Sequence, residues 1–430
     1  MDSVERERFS WWKDTHVQYT KPAHYVKRSF CANLPEAARN TAAKNGLEPV
    51  VHGRLTARSA QRNARRRNNM SLRLVEGFET FDTTLGSTVE SQLDRKYGNL
   101  HGLTLYPNCD QAKLADGRRG GYSLQGAFAY PTTSQRFFYV VASDDVPTGD
   151  TWVVGMAIKF GTSFPDNKEI LVIGSLDSPT YYNFSIKVAS DGKISACGGG
   201  GTLLATTADP VLASDIWHYL EAKVVCHDTA GAYEIRIDGQ TVLTGSDVDT
   251  WAYNDSRYVM FQLRHYYQYL DDIYICDTDG TTNNDFLGQV VIEGILPSAD
   301  GDSSDWTPAS GTDHLAMVDD IPPDDDTSYV ESNTEGDEDL YDYADLSTIT
   351  TEPILGLQVN TDVRMNEFPG DIDLYQTVKS GSTTSDGQPR NIATDDYEVA
   401  TRILETDPDT ASAWTVSGVN GTQFGIKVGT

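Results

Sequence analysis

Cysteine is scarce in this 430-residue sequence: there are five, with no CxxC pair and no histidine spacing to match. Cys31, Cys109, Cys197, Cys226 and Cys276 are odd in number and scattered, which excludes a disulfide framework and the usual zinc site. They read instead as small apolar residues of the interior. Long hydrophobic runs are also missing. Without about 18 consecutive apolar residues no helix can span a bilayer, so no membrane insertion is expected. The first thirty residues carry no apolar signal core, so synthesis in a cytoplasm without a signal peptide is expected. The eight histidines include no HExxH, and no GxSxG occurs. Gly198–Gly201 is not followed by Lys-Ser/Thr, which excludes a phosphate loop.

Positive charge is short overall and unevenly placed. The chain holds 34 Lys/Arg against 63 Asp/Glu, a net of −29. Residues 1–75 have 15 basic and 6 acidic residues (net +9), leaving 19 and 57 (net −38) for the remainder. An acidic body argues against nucleic-acid binding. The front differs from everything after it: 35–45 (PEAARNTAAKN) is helix-compatible, and Arg62, Arg65, Arg66 and Arg67 crowd a stretch with few large apolar residues. Such a segment buries little surface. Residues 1–74 therefore read as a basic arm, either disordered or anchoring on an acidic neighbour.

What is abundant is strand grammar. Apolar or alternating runs recur from 75 to 297, among them 136–143 (RFFYVVAS), 152–160 (WVVGMAIKF), 182–188 (YNFSIKV), 217–225 (WHYLEAKVV) and 258–263 (YVMFQL). Gly, Pro, Asn and Asp turns separate them, and Asp191-Gly192 and Asp238-Gly239 suit tight hairpins. No helical periodicity is evident there, so two large packed sheets are expected over 75–297. Residues 298–348 are acidic and strand-poor, with spaced rings at Trp306, Tyr329 and Tyr341; they read as a tether pinned to a surface. Strand-like runs at 354–359, 361–365, 373–378, 397–403 and 424–428 then predict a second, smaller β domain over 349–430.

AYEIRIDGQTVLTG, followed by RYVMFQLRHYYQYLDDIYICDTDG, resembles concanavalin A-like, laminin-G-type jelly rolls, with Asp238-Gly239 at the turn and 270–275 (LDDIYI) in a late closing strand. Downstream, DFLGQVVIEGILPSADGDSSDW and ILGLQVNTDVRMN look like structural proteins of tailed phages, in which such a jelly roll precedes a second β-sandwich. The resemblance implies an all-β fold of two sandwiches in series. It also implies a place in a virion, as a tail-fibre or head-decoration subunit.

Laminarinase-like jelly rolls hydrolyse glycans with carboxylates spaced Glu-x-Asp-x-x-Glu, and 75–297 has no such spacing. Asp271 and Asp272 are adjacent, and strand alternation sends neighbours to opposite faces. An enzyme is therefore not expected. Asp300, Asp302 and Asp305 offer hard oxygen donors in a Gly-containing turn, as do Asp277, Asp279 and Asp285; each reads as a structural Ca²⁺ site or as a solvated acidic loop. Tyr267 and Tyr269, on one side of a strand by alternation, read as a subunit contact or a glycan-stacking surface.

The expectation is thus a non-enzymatic virion protein that contacts portal, tail or capsid neighbours. Homo-oligomerisation is expected, a trimer favoured, because such parts repeat around symmetry axes. A host-glycan surface is the accompanying possibility. A stand-alone lectin-like module is the second reading and a polysaccharide-degrading enzyme the third.

Overall fold

A computed structural model describes residues 70–82, 89–97, 112–126, 135–140, 151–175, 182–252, 256, 258–265, 267–351, 353–366, 372–392 and 395–429. The helix-compatible 35–45 and the arm arginines Arg62, Arg65, Arg66 and Arg67 lie outside the described residues, as do Cys31 and Cys109. The described protein is nearly all β, as expected.

The first sandwich runs through β1 (Leu72–Glu76), α1 (Val89–Tyr97), β2 (Lys113–Asp116), β3 (Tyr122–Gln125), β4 (Gln135–Val140) and β5 (Thr151–Phe160). It continues with β6 (Lys168–Gly174), β7 (Tyr182–Val188), β8 (Ile194–Cys197), β9 (Leu203–Thr206) and β10 (Trp217–Val225). Strands β11 (Gly231–Ile237), β12 (Gln240–Val248), β13 (Tyr258–Leu263) and β14 (Gln268–Cys276) complete it. One sheet has the order β12-β11-β10-β5-β14-β3-β2, with β1 also paired to β14; the other is β4-β13-β6-β7-β8-β9.

The central strand β5 shows why its sequence is continuously apolar. Val154, Met156 and Ile158 face the opposite sheet and share the main core with Leu220, Ile235 and Leu270 of their own sheet and with Phe261 of the facing one. Val153 and Ala157 point outward and are equally buried, beside Tyr219, Tyr274 and Cys276. The chain after β14 lies over this outer face and packs Phe286, Leu287 and Val290 onto it. Fully burying side chains of this size stabilises by roughly 1.5–3 kcal/mol each. Gly155 is required by the same close packing, since a Cβ there would lie 2.0 Å from the Tyr274 ring. Asp238 and Gly239, with φ of 52° and 79°, form the expected turn between β11 and β12.

Two expectations are corrected. A nine-residue helix, α1, stands where no helical pattern was read. Val89, Leu93 and Tyr97 bury one face of it, a repeat too short to rise above the surrounding strand grammar. The acidic segment 298–348 is not a tether. It supplies β15 (Pro297–Ser304), β16 (Thr307–Pro308), β17 (Val330–Glu331) and β18 (Glu338–Tyr343). Then follow β19 (Leu357–Val363), β20 (Ile372–Ser380), β21 (Thr383–Ser385), β22 (Arg390–Ile392), β23 (Glu398–Leu404), α2 (Val416–Asn420) and β24 (Gln423–Val428).

The resulting sheet, β15-β18-β24-β20-β21 with β22 beside β20, packs with the β19-β23 pair around Trp414, Phe424, Val378 and Leu404. Acidic side chains at 298–348 fit because their strands lie at and next to a sheet edge. Buried Asp339 accepts bonds from Trp306 N (2.8 Å) and the Tyr341 hydroxyl (3.0 Å) and lies 2.7 Å from His314 Nδ1. These bonds tie the segment to itself, closing β18 onto the turn after β15.

The two sandwiches are joined by directed bonds. Buried Glu405 accepts from Ser71 N (3.2 Å), Leu72 N (2.8 Å) and Asn283 Nδ2 (3.1 Å). Glu293 accepts from Ser347, Thr348 and Ile349 N–H groups at 2.7–3.0 Å. Among the described residues no helix is long and apolar enough to cross a membrane.

Candidate functional site

The outer face of the eight-stranded sheet carries two regions of different character. Its first is an aromatic platform left open by the overlying chain. Register pairs Trp217 with Lys159 and Lys159 with Tyr269, so all three project from one face of β10, β5 and β14. The Trp217 and Tyr269 rings meet edge to face at 6.1 Å. The Lys159 ammonium lies over both, 4.3 Å from the Tyr269 centroid and 5.0 Å from that of Trp217. All three are half-buried, and exposed Ile216 and Tyr267 flank them at the same strand ends. Flat rings with polar edges, wet on one side, are the surface against which an amphipathic ligand stacks.

Behind the platform lies a buried acidic cluster. Alternation was expected to part Asp271 from Asp272, and the structure corrects this. Asp272 has φ +47° and the β14–β5 pairing shifts between Asp271 and Tyr274, a bulge that re-aims the side chain. Both carboxylates now reach Arg118: its N–H donates to Asp271 (2.7 Å) and its Nη1 to Asp272 (2.9 Å). Arg118 also bonds Val290 O and Gln289 Oε1, each at 3.0 Å, and clamps the overlying chain.

Burial, with the Asp272 charge, pushes Asp271 up to about 7. Burial, with the charges of Asp271, Glu76 and Asp272, pushes Glu79 up to about 9. Glu79 therefore carries its proton at neutral pH. Together with Arg119, Arg95, Trp306, Tyr329 and Tyr397 it lines a cleft of about 2160 Å³ between the sandwiches.

The sequence-predicted residues are distributed as follows. Tyr269 belongs to the platform. Tyr267 sits in the preceding turn with φ +66°, so the alternation argument does not reach it. Asp300, Asp302 and Asp305 do not converge: Asp300 accepts from Leu315 N (2.8 Å), Asp302 pairs with Lys379, and Asp305 accepts from Glu338 N (3.3 Å). Asp277 pairs with Arg73 and Asp285 with Lys223. Among the described residues no group of three or more His, Cys, Asp or Glu is placed to hold a metal ion, and neither expected calcium set gathers. Cys197, Cys226 and Cys276 are buried and free. Trp217, Lys159, Arg118 and Glu79 were missed as site residues. Only Trp217, opening an apolar strand, gave any signal.

No protein-family model and no curated protein matches the chain. Among solved structures it is similar to an endo-β-1,4-glucuronan lyase from the fungus Trichoderma reesei, with 14% identity, 43% of this chain and 94% of that one covered, and a TM-score of 0.32. It is also similar to alginate lyase vAL-1 from Chlorella virus (9%, 39% and 89%, TM-score 0.30) and to carbohydrate-binding module CBM66 from Bacillus subtilis (11%, 39% and 92%, TM-score 0.27). A Trypanosoma rangeli sialidase is matched over 27% of its length (10% identity, 40% of this chain, TM-score 0.30). At these scores the likeness is one of sandwich arrangement.

One expectation is corrected by it. The chain was expected to be non-enzymatic because the Glu-x-Asp-x-x-Glu spacing is missing and because alternation parts Asp271 from Asp272, yet both carboxylates reach Arg118, and two lyases and a sialidase are among the proteins of similar arrangement. That missing motif does not exclude glycan processing. The virion reading draws nothing from these comparisons and rests on the sequence resemblance alone.

Proposed function

We propose that this protein recognises a glycan on the outer face of its first sandwich, with Trp217 and Tyr269 as the stacking surface. The observation that carries the reading is the Trp217–Lys159–Tyr269 row. It is held in register by three neighbouring strands and stays half-exposed, while Phe286, Leu287 and Val290 cover the cluster around Tyr219 and Tyr274 on the same face. Sugar rings present C–H faces to aromatic planes while their hydroxyls stay in water, and a rigid sheet places such rings at little entropic cost. The sequence resemblance to tail-fibre and head-decoration subunits supports a setting in a repeated virion assembly, with the basic segment ahead of Ser71 as the attachment segment (71–74, expected in the arm, belong instead to the first sandwich through β1) and the sandwiches displayed.

Calorimetric titration of the full chain with hits from a glycan array tests the proposal. Trp217→Ala and Tyr269→Ala are each expected to weaken binding by about tenfold or more, as removal of a central aromatic does, with melting temperatures close to that of the parent chain. Undiminished binding in both variants would refute it.

A further inference from the structure

We infer that the glycan taken by this platform is acidic, a uronate-containing oligosaccharide whose carboxylate pairs with Lys159. The inference rests on the glycan-recognising reading and adds the chemistry of the ligand. Charge partnering on the same sheet face carries it. Acidic residues outnumber basic ones 63 to 34 in this chain, and three cations near the row each hold a carboxylate. Arg118 holds Asp272 at 2.9 Å, Lys223 holds Asp285 at 3.1 Å and Arg236 holds Glu234 at 2.8 Å. Lys159 has none among the described residues; its contacts are the two rings. An ammonium left over aromatic faces, in a chain so rich in carboxylates, keeps its Coulomb attraction for an outside anion. A sugar stacked on either ring brings its substituents to that ammonium.

The same cross-strand row continues from Tyr269 to Gln125 on β3 and ends on exposed Lys113 of β2, which likewise has no carboxylate partner among the described residues. Three strand spacings of about 4.8 Å separate the backbones of Lys159 and Lys113. Two cations so spaced, with Tyr269 between them, suit a chain of several acidic sugars better than a single one. The negative body works against loose, non-specific capture of such a polymer, so the two lysines set where it sits.

Calorimetry of the full chain with oligomers of galacturonate, mannuronate and glucuronate, each beside its carboxyl-reduced neutral counterpart, tests this. At least one acidic oligomer is expected to bind about tenfold more tightly than its reduced form, the scale of one charge-assisted contact. Lys159→Gln should cut that acidic-over-neutral ratio severalfold, each form being measured on the same variant, and Lys159→Arg should restore it. Equal binding of acidic and neutral forms, unchanged in Lys159→Gln, would overturn the acidic assignment and leave glycan recognition standing. Binding of neither form would remove both.

Discussion

The buried carboxyls make a specific statement about stability and pH, and Glu79→Gln tests it. Burial among Asp271, Glu76 and Asp272 holds Glu79 at about 9, against an ordinary 4.5, and Asp271 at about 7, against 3.8. Asp362, buried behind Arg95, is held at about 6. A carboxyl raised on folding keeps its proton where the unfolded chain has lost it. Its contribution is therefore fully present below about pH 4 and is lost as pH climbs through 6, 7 and 9 in turn. Each pH unit of displacement corresponds to about 1.4 kcal/mol. Glu79 and Asp271 feel each other's charge, so their effects do not add, and about 2–4 kcal/mol of loss between pH 5 and 9 is expected.

The opposite trend comes from Glu293, whose bonds from the 347–349 backbone lower it; that stability disappears only on the acid side of its ordinary range. Glutamine mimics the protonated form of Glu79. At pH 5 Glu79→Gln should melt with the parent, and at pH 9 about 2–5 °C higher. Equal destabilisation at both pH values, with the parent's pH slope retained, would refute the reasoning.

Other consequences follow from packing. Gly155→Ala places a methyl against the Tyr274 ring and should cost about 1–3 kcal/mol, read as a lower urea midpoint; an unchanged midpoint would mean the ring moves freely. Glu405→Ala leaves Ser71 N, Leu72 N and Asn283 Nδ2 without their shared acceptor and should cost about 2–3 kcal/mol. Limited proteolysis should then cut faster within 277–296, between the sandwiches, and a parent-like digestion rate would count against that joint.

Much of the fold was legible because strands announce themselves through runs and turns. The doubly buried β5 and the Asp238-Gly239 hairpin were read directly. Failures occurred where three-dimensional context overrides local pattern. The acidic 298–348 forms strands because a sheet edge lets carboxylates point outward or, for Asp339, find donors inside. Asp271 and Asp272 share one arginine because a bulge, invisible in the letters, breaks the alternation. Tyr269 was noticed, but its partners Trp217 and Lys159 come from distant strands, and only register brings them together.

A crystal structure of the chain soaked with an oligouronate tests the central claim most directly. The account predicts a sugar ring stacked on Trp217 or Tyr269, with its carboxylate at Lys159 Nζ. An oligosaccharide seated in the cleft between the sandwiches, with the platform bare, would contradict it.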